Sequence, residues 1–376
     1  MVNKSSLQNR LKAVRNRLGV SQNDLAARAG VARQTVGGVE AGTYALSLSV
    51  ALKIAAALGC SVDELFWLDD DVRTVNAVPA AGGWPEGDGR VALARVDGSW
   101  VAHSLSGDAA MRVEMVPADG IAGVPDCNGE VEIKLIDDAT SLSNSLCVAG
   151  CAPALSLWTR SAERWHPSMR VHWVHTNSTD ALGKLRRGEV HAAGLHLFDK
   201  ASGEFNVPQV RRVMGDEPTT LINLGVWEEG FVIAKGNRKS IRSADDLTRS
   251  DVAVVNREQG AGARDLLDEQ LARCGALSSD VPGYARVERS HYDVARSVRD
   301  GNADVGIGVA AVAAAFGLGF VPLRSVRYDL ALRTRSLEDD GVRSLVETLD
   351  HRWVKTQMQL VGGYDTSRMG EVVGTT

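Results

Sequence analysis

Residues 21–42, SQNDLAARAGVARQTVGGVEAG, constrain the fold more than any other stretch of the chain. Ser21 is placed to cap a helix, because its hydroxyl accepts a bond from an N–H two or three residues on. Leu25, Ala26 and Ala29 then share one helical face. Gly30 ends that helix, being free to adopt positive φ. Val31 leads into a second helix in which Val36 and Val39 point inward, while Arg33, Gln34 and Thr35 stand polar at its N-terminus. The spacing predicts two short helices joined by a tight turn.

The flanks complete a small helical bundle. Leu7, Leu11, Val14 and Leu18 form an apolar stripe, with Arg10, Lys12, Arg15 and Arg17 around it. Leu48, Leu52, Ile54, Ala55 and Leu58 predict another helix, stopped by Gly59. In SVDELF (61–66), Ser61 and Glu64 have capping-box spacing and predict a fifth helix. Through residue 68, eight Lys/Arg against four Asp/Glu leave +4. The whole chain carries −5, so the remainder carries −9. A basic head on an acidic body confines phosphate neutralisation to one end.

This head resembles the Cro/repressor-type (XRE) family of helix-turn-helix domains. The likeness rests on SQNDLAARAGV, the RQTV entry to the second helix, the EAG after it and LKIAAALGCSVDELF. The resemblance implies that the second helix lies in the major groove of a double-stranded DNA operator, with its N-terminal side chains on base edges. Gln22 would grip a phosphate. Arg33 and Gln34 would read guanine and adenine, Thr35 would touch base or backbone, and Gly38 would allow close backbone approach. Gly37 and Gly38 stand where the family often has Ser and a longer residue. Each costs a helix about 1 kcal/mol relative to Ala.

Beyond the head, residues 69–90 are Gly-, Pro- and Ala-rich after Asp69–Asp71 and are expected to be a linker. Residues 91–142 form a β-rich connecting segment. RVALARV, SWVAHSL, MRVEMV and VEIKLI alternate or run apolar, and Asp97-Gly98 marks a hairpin. From 143 to 376 the pattern becomes strand, turn, helix. SLCVAG, RVHWVHT, VHAAGLHL, DVAVVN and ADVGIGV read as strands, with helices between them. Such alternation predicts parallel α/β sheets, and two sets joined by the extended stretch 219–235 predict two lobes with a cleft. The apolar run 305–321 is expected to be a buried strand and a core helix rather than a membrane span.

The sharpest feature of the body is REQGAGAR (257–264). A Gly-rich turn that leaves a strand and opens a helix presents bare N–H groups to an anion, and Arg257 and Arg264 add charge. The junctions at Gly150–Ala152, Asn177–Thr179 and Ser290–Tyr292 are expected to face the same cleft. Here the chain resembles the type II periplasmic-binding-protein fold, in its branch related to molybdate and tungstate binders. VAGCAPAL (148–155), RGEVHAAGLHLFD, FVIAKGN, VNREQGAGARDLLD, ADVGIGV and GGYDTSRMGEVV carry the likeness. It implies anion contacts at Cys151, Ser178, Thr179, Arg257, Gly262 and Arg264. Ala263, and His291 and Tyr292 at the last of the junctions, are expected as further ligand-binding positions. Ala152 stands where the family commonly has Asp. Ala261 and Ala263 stand where it commonly has Ser and Thr, so two hydroxyl donors are absent.

The fold expected is an all-α helix-turn-helix head plus an α/β two-lobed body, with a small β-rich segment between. No secretory signal is predicted. Five Cys (60, 127, 147, 151, 274) without C-x-x-C predict reduced thiols in the cytoplasm. The His172/His175 and His191/His196 pairs lack metal-ligand partners in the sequence, so no metal is expected. No catalytic signature supports an enzyme. The chain reads as a homodimeric regulator with molybdate or tungstate as effector and no covalent cofactor or membrane partner. The alternative is a DNA-binding regulator whose body binds a different metabolite or serves only dimerisation or partner binding.

Overall fold

The structure, a computed structural model, describes residues 7–43, 46–68, 73–84, 87–110, 115–136 and 139–376. It divides into two compact units, residues up to Thr74 and Val75–Thr376.

The first unit holds helices α1 (Leu11–Arg17), α2 (Gln22–Ala29), α3 (Arg33–Glu40) and α4 (Leu48–Leu58). Strands β1 (Leu7–Asn9) and β2 (Phe66–Leu68) pair antiparallel. Ser21 caps α2 in a reciprocal box with Asp24, and Gly30 closes it in the left-handed region at φ 62°. The fifth helix does not form. Ser61 N–H donates to the Glu64 carboxylate at 2.7 Å, but residues 62–65 make a turn that delivers Phe66 to the ribbon. The expected stripe also ends early: Leu7 is in β1 and Leu18 is exposed. On α4 the core face is Ala51, Ile54, Ala55 and Leu58, while Leu48 and Leu52 are 72% and 53% exposed. Small residues on the inner face allow α4 to pack closely, so its leucines at the other face stay outside.

The second unit opens with a closed barrel of β3 (Thr74–Pro79), β4 (Gly89–Val96), β5 (Ser99–Ser104), β6 (Gly120–Ala122) and β7 (Val131–Leu135). Its first strand falls within the expected linker. Asp97 and Gly98, at φ 49° and 83°, turn β4 into β5. Most of the MRVEMV strand (111–114), and residues 69–72 of the connector, lie outside the described residues.

After α5 (Ala139–Leu142) come β8 (Ser145–Gly150), α6 (Pro153–Trp165), β9 (Arg170–His175), α7 (Ser178–Arg186) and β10 (Ala192–Leu195). All six residues of β8 are buried, as its unbroken apolar run requires of a parallel strand covered on both faces. A ribbon of β11 (Phe198–Asp199) and β12 (Glu204–Phe205) and helix α8 (Val207–Met214) lead to β13 (Thr219–Ile233). Then follow β14 (Val254–Arg257), α9 (Gly262–Arg273), β15 (Val287–Glu288), α10 (His291–Arg299), β16 (Val305–Val309), α11 (Ala310–Ala315) and β17 (Gly319–Arg333). Helices α12 (Asp340–Glu347) and α13 (Arg352–Val361) and strands β18 (Tyr364–Asp365) and β19 (Val372–Thr375) close the chain.

Both strand sets are parallel, as expected: β8 with β9 and β10 in the first lobe, and β14 with β15 and β16 in the second. The sheet as a whole is mixed. The long strands β13 and β17 pair antiparallel and pass through both lobes, β17 against β10 and β13 against β16. Among the described residues no helix is long and apolar enough to cross a membrane.

Candidate functional site

In the head, α3 presents Arg33 and Gln34 exposed and Thr35 half-buried, while Val36 and Val39 enter the core. Gly37 and Gly38 are half-buried, and the Gly38 carbonyl accepts from the N–H and hydroxyl of Thr43. Gln22 is engaged within the head. Its amide nitrogen donates to Glu40 Oε2 at 2.8 Å, where Arg15 Nε also reaches Glu40 Oε1 at 2.6 Å. This half-buried network ties α1, α2 and the end of α3 together. Burial opposes charge on Glu40, but the bonds from Arg15 and Gln22 outweigh it and hold the carboxyl below its usual range.

In the body, the C-terminal ends of β8, β10 and β14 and the first turns of α6, α7, α9 and α10 meet over β13 and β17. Open α/β sheets bind ligands at the carboxyl ends of their strands. Cys151, Ser178, Arg257 and His291 come together there, all buried. His196, at the end of β10, joins them. Its Nδ1 lies 3.0 Å from Ser178 Oγ and 3.7 Å from Cys151 Sγ, and its Nε2 lies 3.4 Å from Glu229 Oε1. The His291 Nε2 stands 4.0 Å from the same oxygen. Tyr328, Trp227 and His291 surround the His196 ring at centroid distances of 5.7, 5.7 and 6.1 Å.

Charge in this cluster is set by close pairs. Burial disfavours the imidazolium of His196, yet Cys151 and Glu229 override it and push the pKa up to about 10. His291 goes the other way: burial, with Arg257 and His196 nearby, holds it well below the usual histidine range. Several buried polar atoms have no hydrogen-bond partner among the described residues. They include Arg257 Nη1, His196 Nε2, both His291 ring nitrogens, Glu229 Oε1, Trp227 Nε1 and the Tyr328 hydroxyl. Buried polar groups are nearly always paired, so this concentration in one place marks the site.

Other expected contacts sit differently. Thr179 spends its N–H and hydroxyl on the Gly260 carbonyl. Gly262 is a close-approach position: a Cβ there would come within 2.6 Å of the His196 carbonyl oxygen. Ala263 packs in the second-lobe core. Arg264 donates to the Arg257 carbonyl, pairs with Asp268 and lies over the Tyr284 ring, bracing the loop instead of facing the cluster. Tyr292 is 44% exposed and rests on Phe316. Arg257 itself donates twice to the adjacent Glu258 and once to the Arg289 carbonyl, which leaves Nη1 as its unengaged nitrogen among the described residues.

Neither histidine pair adjacent in sequence forms a site. His172 packs against His103, and the His191 Nδ1 accepts from Cys147 N–H. The residues that sequence spacing misses are His196 in its actual company, Glu229, Trp227 and Tyr328. A surface groove of about 1260 Å³ runs between the barrel and the first lobe and reaches Glu258, Gln259 and Arg289 of the second, and none of the clustered residues lines it.

Fold and surfaces together define a DNA-binding head joined to a two-lobed, binding-protein-like body. A helix-turn-helix family matches residues 11–65, and the PBP superfamily domain matches residues 159–350. The uncharacterized HTH-type transcriptional regulator YgzD of Bacillus subtilis (strain 168) is 42% identical over 65 residues, covering 17% of this chain and 98% of YgzD. The uncharacterized protein YvgK of the same organism is 35% identical over 199 residues, covering 53% of this chain. The match spans 64% of the length of YvgK. Among solved structures, the sulfate-binding protein SubI from Mycobacterium tuberculosis H37Rv aligns with a TM-score of 0.44 at 17% identity, over 59% of this chain and 86% of that one. The chain belongs to the PBP superfamily through its body and to the HTH-type transcriptional regulators through its head.

Proposed function

We propose that this DNA-binding regulator responds to a small anion held between the two lobes, with molybdate or tungstate as the effector class. The observation that carries the reading is the meeting of four helix N-terminal turns around the buried His196 cluster, with Arg257 buried beside it and its Nη1 without a partner among the described residues. Helix N-termini favour negative charge. The N-cap of α9, Ala261, has no side-chain acceptor, so the cap does not consume the first N–H groups of that helix. The resemblance of VAGCAPAL and VNREQGAGARDLLD to molybdate and tungstate binders supplies the ligand class. With Ala261 and Ala263 in place of hydroxyl residues, binding leans on backbone N–H groups and Arg257.

In this reading the body binds and does not catalyse. The chain acts in the cytoplasm as a homodimer on a palindromic operator, whose half-sites match a two-fold pair of heads. The effector shifts the protein between two states that differ in operator affinity. The bidentate Arg257–Glu258 pair favours the second reading, a body that takes another metabolite or only dimerises, since an anion must compete with Glu258.

Thermal shift of the full chain with molybdate, tungstate, sulfate and phosphate tests this. An effector at a hundred times its Kd adds about 2.7 kcal/mol of stability. Arg257→Ala should remove the shift and leave DNA affinity without effector unchanged. No shift with any of the four anions rejects an anion effector.

A further inference from the structure

We propose that Cys151, His196 and His291 form a binding site for a thiophilic transition-metal ion of the zinc class, and that the ion joins the two lobes. One donor atom from each of the three residues lies within 4.8 Å of the others, and all three residues are buried. The Cys151 Sγ to His196 Nδ1 separation is 3.7 Å. Zinc–sulfur and zinc–nitrogen bonds of ordinary length at a tetrahedral angle set those two atoms about 3.6 Å apart. The pair is therefore already spaced as one edge of such a coordination shell.

The surroundings of the imidazoles support the assignment. Metal-bound histidines usually donate their other ring N–H to a carboxylate, which fixes the tautomer and raises ligand basicity. Glu229 Oε1 faces that position on both rings, 3.4 Å from His196 Nε2 and 4.0 Å from His291 Nε2, with no hydrogen bond formed to either. An ion that takes the Nδ1 lone pair, on the Cys151 side, displaces the Ser178 hydroxyl from that nitrogen and leaves the ring proton on Nε2, which faces Glu229. Both ring nitrogens of His291 and the Glu229 oxygen lack hydrogen-bond partners among the described residues, as ligands and their outer carboxylate do until an ion organises them. A donor set of one thiolate and two imidazoles suits zinc or copper and is poor for magnesium or calcium.

The three ligands come from both lobes. Cys151 follows β8 and His196 follows β10 in the first lobe, while His291 opens α10 in the second. An ion bound by all three stabilises the closed arrangement and loses a ligand when the lobes part. Three protein ligands also leave a fourth coordination position open, the pattern of sites that take an exchangeable ligand. The proposal stands on this cluster alone and does not depend on an anion effector.

Cobalt(II) titration of the reduced, chelator-treated full chain tests it. The expected result is one cobalt per chain with an intense thiolate-to-cobalt charge-transfer band and the visible bands of a tetrahedral ion. Cys151→Ser should remove the charge-transfer band, whereas Cys147→Ser, at a buried cysteine outside the cluster, should keep it. Glu229→Gln should weaken cobalt binding by about 10- to 100-fold, and His291→Gln by more. Should a variant fail to fold, the native protein provides the test: zinc should protect Cys151 from a thiol reagent, as read by mass spectrometry. Absence of the band and of protection, or a band that survives in Cys151→Ser, overturns the site. A molybdate thermal shift without a cobalt band retains the anion reading and removes this one. A cobalt band without any anion shift does the reverse.

Discussion

The carbonyl oxygen of Gly260 accepts two hydrogen bonds from Thr179, one from its N–H at 3.3 Å and one from its hydroxyl at 3.1 Å. The bonds cross from the loop before α9 in the second lobe to the first turn of α7 in the first. Asn177 Nδ2 adds a third crossing bond to the Gln259 carbonyl at 3.4 Å. Gly260 sits at φ +85°, and a Cβ on it would stand 2.9 Å from Asn177 Oδ1 and 3.1 Å from Thr179 Cβ. Gly260→Ala should cost about 1–2 kcal/mol for the left-handed backbone, and the crowding pushes α7 away from the loop. The thermal midpoint of the full chain should fall. A midpoint equal to wild type would contradict a closed contact at this position.

The recognition helix should gain from a residue the fold leaves room for. The nearest heavy atoms to a Cβ on Gly37 belong to the Gln22 amide, 3.9 and 4.0 Å away. Gly37→Ala should therefore stabilise α3 by about 1 kcal/mol. Hydrogen exchange of the amides of α3 should slow by roughly fivefold. Faster exchange would mean that α3 depends on its glycine.

Acid should loosen the head through Glu40. Its carboxyl is held below the usual range by Arg15 and Gln22 against the opposing effect of burial. A depressed folded pKa contributes stability above the unfolded value, about 4.3 for Glu. That contribution is lost as pH falls through the folded pKa. Urea unfolding of the head, followed by methyl NMR of Val36, should show stability declining below about pH 4.5. In Glu40→Gln the protein should be weaker at neutral pH and its acid dependence flatter. An unchanged pH profile in that variant would remove Glu40 from the account.

Base reading is expected to rest on Arg33. Arg33→Ala should weaken binding to a selected operator by about 1–3 kcal/mol while changing binding to random DNA far less. Equal losses on both would reassign Arg33 to the phosphate backbone.

Much of the local structure is legible in the sequence because its signals are local. Ser21, Gly30 and Gly59 mark helix ends, Asp97-Gly98 marks a hairpin, and SLCVAG is buried throughout. Leu48 and Leu52 are less informative, since a helical stripe does not say which of two apolar faces is packed. Strand β17 does not stand out in the sequence. Pro322, Arg324, Arg327 and Asp329 interrupt its apolar pattern, and long-range pairing with β13 and β10 makes it a strand. The candidate site is half legible. Cys151, Ser178, Arg257 and His291 lie at strand-to-helix junctions, which sequence patterning locates. The company of His196 does not follow from spacing, because Glu229 and His291 reach it only after the chain has formed both lobes.

The measurement that bears most directly on the central claim is operator affinity of the full chain with and without effector, on DNA selected from random sequence. Saturating molybdate or tungstate should change the operator Kd by about 5- to 150-fold, equivalent to about 1–3 kcal/mol of coupling. Arg257→Ala should abolish that change and leave the effector-free Kd intact. An operator Kd that is the same with and without these anions, in protein that binds its operator, would contradict the account.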